Sequence, residues 1–189
     1  MGDLHDPSNP WKTLDSRVVY NNAWISTRED QVLRPDGQPG IYGVVHFKNR
    51  AIGVLPVEDD GRIWLVGQHR YPLDVYSWEI PEGGGPLDEA PIEAAIRELR
   101  EETGLIAAIV EPVGGPIHLS NSVSDEVGFL FRASGLTQGP SDQEGTERIH
   151  ARCVPWDDAW RMVERGEITD SLTLIALLHE RVRRAEGGS

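Results

Sequence analysis

The sequence holds a single cysteine, Cys153, so no disulfide bond can form within one chain. This favours a reducing compartment. Because no nucleophile motif accompanies it, Cys153 is interpreted as a small core residue rather than a catalytic thiol. Apolar runs approaching the roughly 20 residues of a membrane span are also missing. Residues 1–10 lack the basic and then apolar pattern of a signal peptide. We therefore expect a cytoplasmic protein with no membrane partner.

Basic residues are scarce, since 18 lysines and arginines face 31 aspartates and glutamates, for a formal net charge of −13. Affinity for nucleic acid and for anionic membranes comes from lysine and arginine, so this charge disfavours both as partners. It does not exclude a small phosphorylated substrate bound through a metal ion and a few local cations. The 189 residues suffice for one domain, or one domain with a small appendage, around a proper core.

One stretch organises the rest of the chain: residues 83–105, GGGPLDEAPIEAAIRELREETGL. It predicts a helix, because Pro91 suits a first helical turn and Gly104 suits the left-handed conformation that ends a helix. Asp88 and Glu89 precede the helix, where negative charge complements its dipole. The apolar spacing predicts one buried stripe along it, formed by Ile92, Ala95, Ile96, Leu99 and Thr103.

Three carboxylates lie together off that stripe, on Glu98, Glu101 and Glu102. Like charges one helical turn apart repel by roughly 0.2–0.5 kcal/mol, so the cluster is either a solvated, salt-bridged helix face or a cation site. Hard divalent ions such as Mg²⁺ prefer carboxylate oxygens and leave positions for water and substrate phosphates. Glu98 and Glu102 are one turn apart and can reach one ion, whereas Arg97 can pair with Glu101 and orient it. Charge spacing alone leaves both interpretations open.

The full pattern favours the cation site. Gly83, then Glu89 after five residues, then the run RELREETGL at residues 97–105 after seven more, resemble the Nudix box at every defining position. The resemblance implies a Nudix hydrolase, whose loop–helix–loop binds Mg²⁺ or Mn²⁺ and which cleaves a nucleoside diphosphate linked to another group. It implies that Glu98, Glu101 and Glu102 are metal ligands, and that Glu101 and Arg97 take part in catalysis.

Two shorter motifs before the box narrow the resemblance to one branch of that family. They are QHRYP at residues 68–72 and WEIPEG at residues 78–83. The arrangement is similar to the branch that hydrolyses ADP-ribose and nucleoside diphosphate sugars. This likeness implies a homodimer, formed through the sheet before the Nudix fold, in which the partner chain completes the active site. It also implies that the backbone carbonyl of Glu82 is a metal ligand, although a small residue is commoner at that position.

The first part of the chain predicts a small antiparallel sheet. Short alternating runs occupy residues 16–20, 23–26, 31–33 and 41–47, with turn signals between them. We therefore expect an N-terminal β-subdomain at residues 1–48, which the resemblance implicates in dimerisation, and a Nudix hydrolase domain at residues 49–189. Trp24, in the N-terminal β-subdomain, is a candidate for stacking on a substrate base. Its alternative role is that of a core aromatic residue.

A strongly apolar strand is expected at residues 51–57, followed by a hairpin turn at Asp59-Asp60-Gly61 and a returning strand at residues 62–68. Arg70 follows that second strand. If the strands pair near the box, the planar guanidinium group of Arg70 can bind a substrate phosphate. Otherwise Arg70 is a surface arginine.

Further acidic residues follow the box, at Ser124-Asp125-Glu126. This triplet matches the branch. Asn121-Ser122 departs from the Pro-Gly that is usual in that loop, so the sequence does not indicate which sugar the substrate carries. A carboxylate here can deprotonate the attacking water or bind another metal ion. Glu126 is the favoured base, and Asp125 is its alternative and a candidate for substrate binding. An acidic strand start in solvent is the competing interpretation.

Residues 137–147 are rich in glycine, serine and acids, which predicts a surface loop. Glu144 or Glu147 on this segment can supply the base instead of Glu126. The resemblance supports this alternative, since members of the branch place an acidic residue on a mobile loop near this point. The sequence does not separate these candidates.

Strands, the box helix, further strands and helices at residues 155–165 and 171–184 predict an α/β fold with a mixed β-sheet between helices, as the Nudix resemblance also implies. The expected reaction is metal-dependent hydrolysis of the pyrophosphate bond of ADP-ribose or a related nucleoside diphosphate sugar. A Nudix hydrolase of dinucleoside polyphosphates, coenzyme A or damaged nucleotides is the nearest alternative. A noncatalytic nucleotide-sensing Nudix domain and a plain acidic interaction protein are the others.

Overall fold

The computed structural model describes residues 8–139 and 149–187. By its internal contacts the chain divides into two compact units. The smaller unit contains the described residues up to Lys48 together with His118–Glu126, and the larger unit contains the described residues of the remainder. The smaller unit therefore draws on two separate parts of the chain.

The smaller unit is built on a three-stranded antiparallel sheet. Its strands, in spatial order, are β1 (Lys12–Asn21), β2 (Ile25–Leu33) and β3 (Pro39–Phe47). Asn22 makes the first turn, because its side-chain Oδ1 accepts the backbone N–H groups of Trp24 and Ile25 at 2.8 Å. The predicted N-terminal antiparallel sheet is confirmed, but one strand, β2, contains residues 25–26 and 31–33 of two expected strands, and residues 23 and 24 precede it.

The larger unit contains two sheets. Its strands are β4 (Asn49–Pro56), β5 (Ile63–Arg70), β6 (Val75–Glu79), β7 (Glu82–Pro86), β8 (Leu105–His118), β9 (Val127–Gln138) and β10 (His150–Val154). One sheet has the order β7-β4-β9-β8 and is mixed, because β4 runs antiparallel to β7 and parallel to β9. The other has the antiparallel order β10-β5-β6.

Helices cover the mixed sheet on both faces. The helices are α1 (Pro91–Thr103), α2 (Trp156–Glu164) and α3 (Ser171–Ala185). Successive residues of a strand point to opposite faces. Ile52 and Val54 of β4 pack in one core cluster with Leu99 of α1, whereas Leu55 lines a cavity with Ala176 of α3. This confirms the predicted sandwich. In the described part of the chain, no helix has the length and apolar character needed to span a membrane.

The ends of the helices follow the sequence signals. Gly104 ends α1 in the left-handed conformation, at φ 72°, and its N–H donates to the Arg100 carbonyl at 2.8 Å. Asp170 caps α3, because its Oδ2 accepts the Thr173 N–H at 2.7 Å. Both helix boundaries lie within a residue or two of the expected positions, since local capping chemistry determines them.

The turn predicted at Asp59-Asp60-Gly61 is present, with the Glu58 N–H donating to the Arg62 carbonyl at 2.9 Å, but the strands on its two sides do not pair along their length. Strands β4 and β5 belong to different sheets and touch through an isolated bridge between Val57 and Ile63. Both edges of β4 are occupied by β7 and β9, and β5 pairs with β6 and β10 instead. The continuous apolar run at residues 51–57 reflects a strand buried on both faces rather than half of a surface hairpin.

The predicted buried stripe of α1 is wrong at one position. Ile96 is 43% exposed, whereas Glu98 and Glu102 are buried. The buried face turns toward the carboxylates because β7 covers that flank of the helix with glycines, which leave room for polar side chains beneath them.

Leu99→Ala is expected to lower the free energy of unfolding by about 2–5 kcal/mol, because Leu99 is 1% exposed in the core around Ile52 and Val54. Ile96→Ala, on the exposed side of the same helix, is the matched control and is expected to cost less than about 1 kcal/mol. Urea denaturation of both variants measures the difference. Equal losses would contradict this orientation of α1.

Candidate active site

Two carboxylates of α1 lie beneath strand β7. Glu98 is 8% exposed and Glu102 is 4% exposed. A Cβ atom added at Gly83 of β7 would lie 2.3–2.4 Å from the atoms of the Glu98 carboxyl group. Glycine is therefore required at residue 83 if Glu98 is to keep its place, because the backbone passes too close for any side chain.

Arg97 ties the carboxylates of α1 to the chain before the helix. Its Nη1 donates to Glu98 Oε1 at 2.6 Å and to Glu101 Oε2 at 3.1 Å. Its Nη2 donates to the Gly84 carbonyl at 2.9 Å and to Glu89 Oε2 at 3.0 Å. Hydrogen bonds to Glu89 and Glu98, with a further one to Glu101, raise the pKa of Arg97. The pair expected from the spacing of Arg97 and Glu101 is present.

Glu82 connects α1 to β5. Its backbone N–H donates to Glu102 Oε2 at 2.9 Å, while its side-chain Oε1 accepts Nη2 of Arg70, at the end of β5. Arg70 also binds Glu79, with its Nε 3.0 Å from both carboxylate oxygens and its Nη2 on Oε2. Arg70 thus neutralises two carboxylates, that of Glu82 and that of Glu79, which is 2% exposed. None of these bonds uses its Nη1.

Asp170 completes an acidic cluster with Glu79 and Glu82, in which one carboxylate oxygen from each lies within 4.8 Å of the others. Burial raises the pKa of Glu82 well above its usual value, and the charges of Asp170 and Glu79 raise it further, against the opposing effect of Arg70. Glu82 Oε2 is inaccessible and has no hydrogen-bond partner among the described residues. Arg70 bonds to Glu79 and Glu82 but not to Asp170, so these three acids have one bonded arginine among them, and the cluster is short of positive charge.

The loop between β7 and α1 is held by Arg50 of β4. Its Nη1 donates to the carbonyls of Pro86 and Glu89 at 3.2 and 3.1 Å, and its Nη2 donates to the Leu87 carbonyl at 3.2 Å. These bonds fix the entry into the helix. Sequence reasoning missed Arg50, because no motif marks it and its partners lie far along the chain.

The donor set fits a hard divalent cation. Glu98, Glu101 and Glu102 follow i, i+3, i+4 spacing and supply carboxylate oxygens from one side of α1, which Mg²⁺ and Mn²⁺ prefer. Gly83 leaves the room that the Glu98 carboxyl group occupies. In the adjoining cluster with Glu79 and Asp170, Glu82 has a buried carboxylate oxygen without a partner among the described residues. A doubly charged ion would compensate the excess of acidic groups here.

Asp125 is bonded within the smaller unit. Its Oδ2 lies 2.6 Å from His46 Nδ1, and its Oδ1 accepts the backbone N–H of Phe47 at 3.1 Å. Partial burial would raise the pKa of Asp125, but the hydrogen bonds from His46 and Phe47 lower it below its usual value. Asp125 therefore anchors the segment His118–Glu126 to β3. The sequence does not indicate this role, because the bonded residues lie far apart in the chain. Its contact with substrate stays a prediction.

Glu126 differs from its neighbour Asp125 in its electrostatics. It is partly buried, and this burial raises the pKa of its carboxyl group. A carboxylate with a raised pKa is a better proton acceptor than an ordinary one. The raised pKa is consistent with Glu126 as a base, and that role stays a prediction.

Trp24 lies in the turn before β2 and is 70% exposed. The alternative of a core aromatic is therefore wrong, because the turn at Asn22 directs residue 24 away from the sheet's packed positions. An exposed indole offers a ring face for stacking. Stacking on a substrate base stays a prediction.

The predicted site residues divide between the two units. The larger unit joins six of them in one network of β5, β7 and α1: Arg70, Glu82, Arg97, Glu98, Glu101 and Glu102. Trp24, Asp125 and Glu126 belong to the smaller unit. Glu144 and Glu147 lie outside the described residues. Glu79, Asp170 and His46 were missed, although Glu79 stands in the WEIP motif and Asp170 was expected as a helix cap.

Two family models match the chain. Residues 11–45 match the nucleoside diphosphate sugar hydrolase N-terminal domain, and residues 47–174 match the NUDIX domain. The two matches cover β1–β3 and the larger unit through the beginning of α3. They confirm the resemblance on which the candidate site was chosen.

Two curated relatives are similar over most of the chain. An ADP-ribose pyrophosphatase of Bacillus subtilis is 29% identical over 176 residues, which cover 92% of this chain and 94% of the relative. An ADP-ribose pyrophosphatase of Mycobacterium tuberculosis is 32% identical over 174 residues, which cover 89% of this chain and 82% of the relative. Among solved structures, an ADP compounds hydrolase superimposes with a TM-score of 0.85 at 17% identity, over 98% of this chain and 100% of the other, which supports the fold.

Gly83→Ala is expected to leave folding almost unchanged but to displace the Glu98 carboxylate, because the new Cβ meets the end of a flexible side chain. The affinity for Mn²⁺, measured by calorimetry, should fall about 10- to 100-fold. Gly84→Ala is the matched control, since its Cβ would approach the Asn49 side chain no closer than 3.1 Å. Equal affinities for both variants would contradict this role of Gly83.

Proposed function

Because the chain belongs to the Nudix hydrolase family, we propose that it hydrolyses the pyrophosphate bond of ADP-ribose or a related nucleoside diphosphate sugar and that it requires Mg²⁺ or Mn²⁺. The products are a nucleoside monophosphate and a sugar phosphate. The names of the curated relatives and the matched N-terminal domain support this substrate class.

One observation carries the proposal: Glu98, Glu101 and Glu102 form a carboxylate group on α1 that Arg97 and strand β7 hold in place. Isolated carboxylates are rarely buried, because desolvation disfavours their charge. Here the fold buries Glu98 and Glu102 beside one another on a helix, at positions that match the box. Such an arrangement is unfavourable for stability alone and suits the binding of a divalent ion.

In the proposed site, Glu98, Glu101 and Glu102 hold the ion together with the backbone carbonyl of Glu82. When bound, the ion supplies positive charge against the pyrophosphate and lowers the pKa of water. Arg97 keeps Glu98 and Glu101 in position, so that little reorganisation is needed when substrate arrives. Glu101 takes part in catalysis through its ion pair with Arg97.

The chemical step needs a base. We assign it to Glu126, with Asp125, Glu144 and Glu147 as the alternatives. The base accepts a proton from water, the water oxygen forms a bond to one phosphorus atom, and the bridging P–O bond breaks. The bridging oxygen leaves with the other phosphate. The raised pKa of Glu126 favours it over Asp125, whose pKa is lowered by His46 and Phe47 after the opposing effect of burial.

Substrate binding is assigned to Arg70, Trp24 and Asp125. Arg70 is already bound by Glu79 and Glu82, so a phosphate is expected to meet its Nη1, which those bonds leave unused. The exposed ring of Trp24 suits a nucleobase. Asp125 keeps its bonds to His46 and Phe47, which limits it to contacts through its accessible edge.

We further propose that residues 1–48 form a dimerisation subdomain beside a Nudix hydrolase domain at residues 49–189. Large apolar side chains are exposed on its sheet, including Val18 at 67% and Ile41 at 65%. Exposed apolar side chains on one sheet favour an interaction site, and a second copy of the chain is the partner that we propose. Analytical ultracentrifugation of the whole chain checks the homodimer.

A substrate panel tests the proposed reaction. We expect metal-dependent turnover of ADP-ribose, or of GDP-mannose or UDP-glucose, with release of a sugar phosphate, and no turnover with chelator. Phosphate-coupled hydrolysis measures each rate. No turnover of any of the three, with Mn²⁺ binding intact, would contradict the substrate class. Dinucleoside polyphosphates, coenzyme A and damaged nucleotides would then be tested first, and a noncatalytic sensor second.

Glu102→Gln is expected to leave folding nearly intact and to lower kcat by about 100-fold or more, because the amide keeps the acceptor for the Glu82 N–H but loses the charge. Glu93→Gln is the matched control, since Glu93 is an exposed acid in the first turn of the same helix. Kinetics on the best substrate of the panel measure both. Near-normal turnover by Glu102→Gln would remove Glu102 from the metal ligands.

A further inference from the structure

Two cavities in the larger unit share a buried ion pair. The larger, of about 530 Å³, is lined by residues 111–114 of β8 and by the inner side of α3, and the smaller has about 470 Å³. Arg132 of β9 and Glu180 of α3 line both, whereas Glu98, Glu101 and Glu102 line neither. Small-molecule sites commonly occupy about 300–1,000 Å³, so the larger cavity has the size for a ligand outside the candidate active site.

Guanidinium groups outnumber carboxylates in the trio of Arg132, Arg184 and Glu180, although the larger cavity itself is lined by two arginines and three glutamates. Glu180, which is 4% exposed, accepts Arg132 Nε at 3.0 Å and Arg184 Nε at 2.8 Å, so one carboxylate is shared by two arginines. Within residues 8–139 and 149–187, Arg132 donates its hydrogen bond through Nε, so its two Nη atoms bond to none of the described residues, and Arg132 lines both cavities. This trio has a net positive charge in a chain whose net charge is −13.

Arg183 provides a second unused donor beside the first. Its Nη1 donates to Glu111 Oε1 at 2.6 Å. Its Nε is inaccessible and, among the described residues, has no hydrogen-bond partner. An atom without accessible surface does not meet a ligand in the cavity, so the donor of Arg183 that remains for a ligand is Nη2, which bonds to none of the described residues.

Apolar side chains in the wall of the larger cavity come from Leu55, Val113, Ala176 and Val182, and His179 also lines it. We propose that this cavity is a second binding site, for a small organic anion in which an apolar ring or short chain carries a carboxylate or a phosphate monoester. The guanidinium groups of Arg132 and Arg183 bind the anionic group, because a planar guanidinium can form paired hydrogen bonds with either a carboxylate or a phosphate. The apolar body lies against Leu55 and Ala176.

The acidic residues of the wall are compatible with this ligand. Glu111 and Glu180 are already paired with arginines, so their acceptor oxygens are engaged. Glu186, beyond the end of α3, is exposed, and solvent screens its charge. A neutral ligand would leave the arginine donors unsatisfied. The site is independent of the proposed hydrolase reaction, because its residues are not those of the box.

Phenyl phosphate and benzoate are suitable probes, because each joins an aromatic ring to one of the two anionic groups. Each is titrated into the ¹⁵N-labelled whole chain in the presence of EDTA, and amide shifts are followed by NMR. We expect saturable shifts at residues 111–114 and along α3 for at least one probe, with inorganic phosphate binding more weakly because it lacks the apolar body. The stronger probe identifies the anionic group. Shifts that do not saturate, or that map elsewhere, would overturn the proposal.

Arg183→Met is expected to weaken binding by about tenfold or more, because a charged hydrogen bond to the anion is lost. Arg181→Met is the matched control, since Arg181 stacks on Trp160 and lines neither cavity. Val182→Trp keeps every charge but fills the cavity, and it should abolish binding. Glu102→Gln should bind as the wild type does. Equal weakening by the two arginine variants, or unchanged binding by Val182→Trp, would refute the site.

Discussion

The candidate active site depends on the close approach of strand β7 to helix α1. Because residue 83 has no side chain, the β7 backbone passes over the Glu98 carboxyl group, and the Glu82 N–H reaches Glu102 at 2.9 Å. The same strand pairs with β4, whose Ile52 packs beneath α1. The helix, the strand and the core are thus coupled, so the carboxylates occupy defined positions and do not have the freedom of surface side chains.

Arginine residues make this arrangement possible in an acidic chain. Burying a carboxylate without a partner is strongly unfavourable, and each of the central acids is bonded to a guanidinium group or to backbone N–H. Arg97 joins three carboxylates and a carbonyl, Arg70 joins Glu79 to Glu82, and Arg50 holds three carbonyls of the loop before α1. The planar, multidentate shape of arginine explains why lysine would not replace it here.

The same principle extends to the far side of the mixed sheet. Arg132, Arg184 and Glu180 form a buried network between β9 and α3, with more donors than acceptors. At the box the excess charge is negative and suits a cation, whereas the trio of Arg132, Arg184 and Glu180 has one positive charge more than it has negative charges. The two proposed sites would thus have opposite charge preferences and lie on opposite faces of one sheet, because alternate residues of β4 point to opposite faces, Ile52 to one and Leu55 to the other.

The sequence by itself determined the local features, which are the ends of α1 and α3 and the antiparallel N-terminal sheet, and it proposed Glu98, Glu101, Glu102 and Arg97 as candidate site residues. Helix caps depend on residues close together in the chain, and so does the spacing of a long motif. Both can therefore be recognised from the sequence. Tertiary structure alone decided that β4 pairs with β7 and β9 and not with β5, that Glu98 and Glu102 are buried while Ile96 is exposed, and that Asp125 binds His46. These depend on contacts between residues far apart in the chain, which are selected by packing as a whole and leave no periodic signal in any one segment.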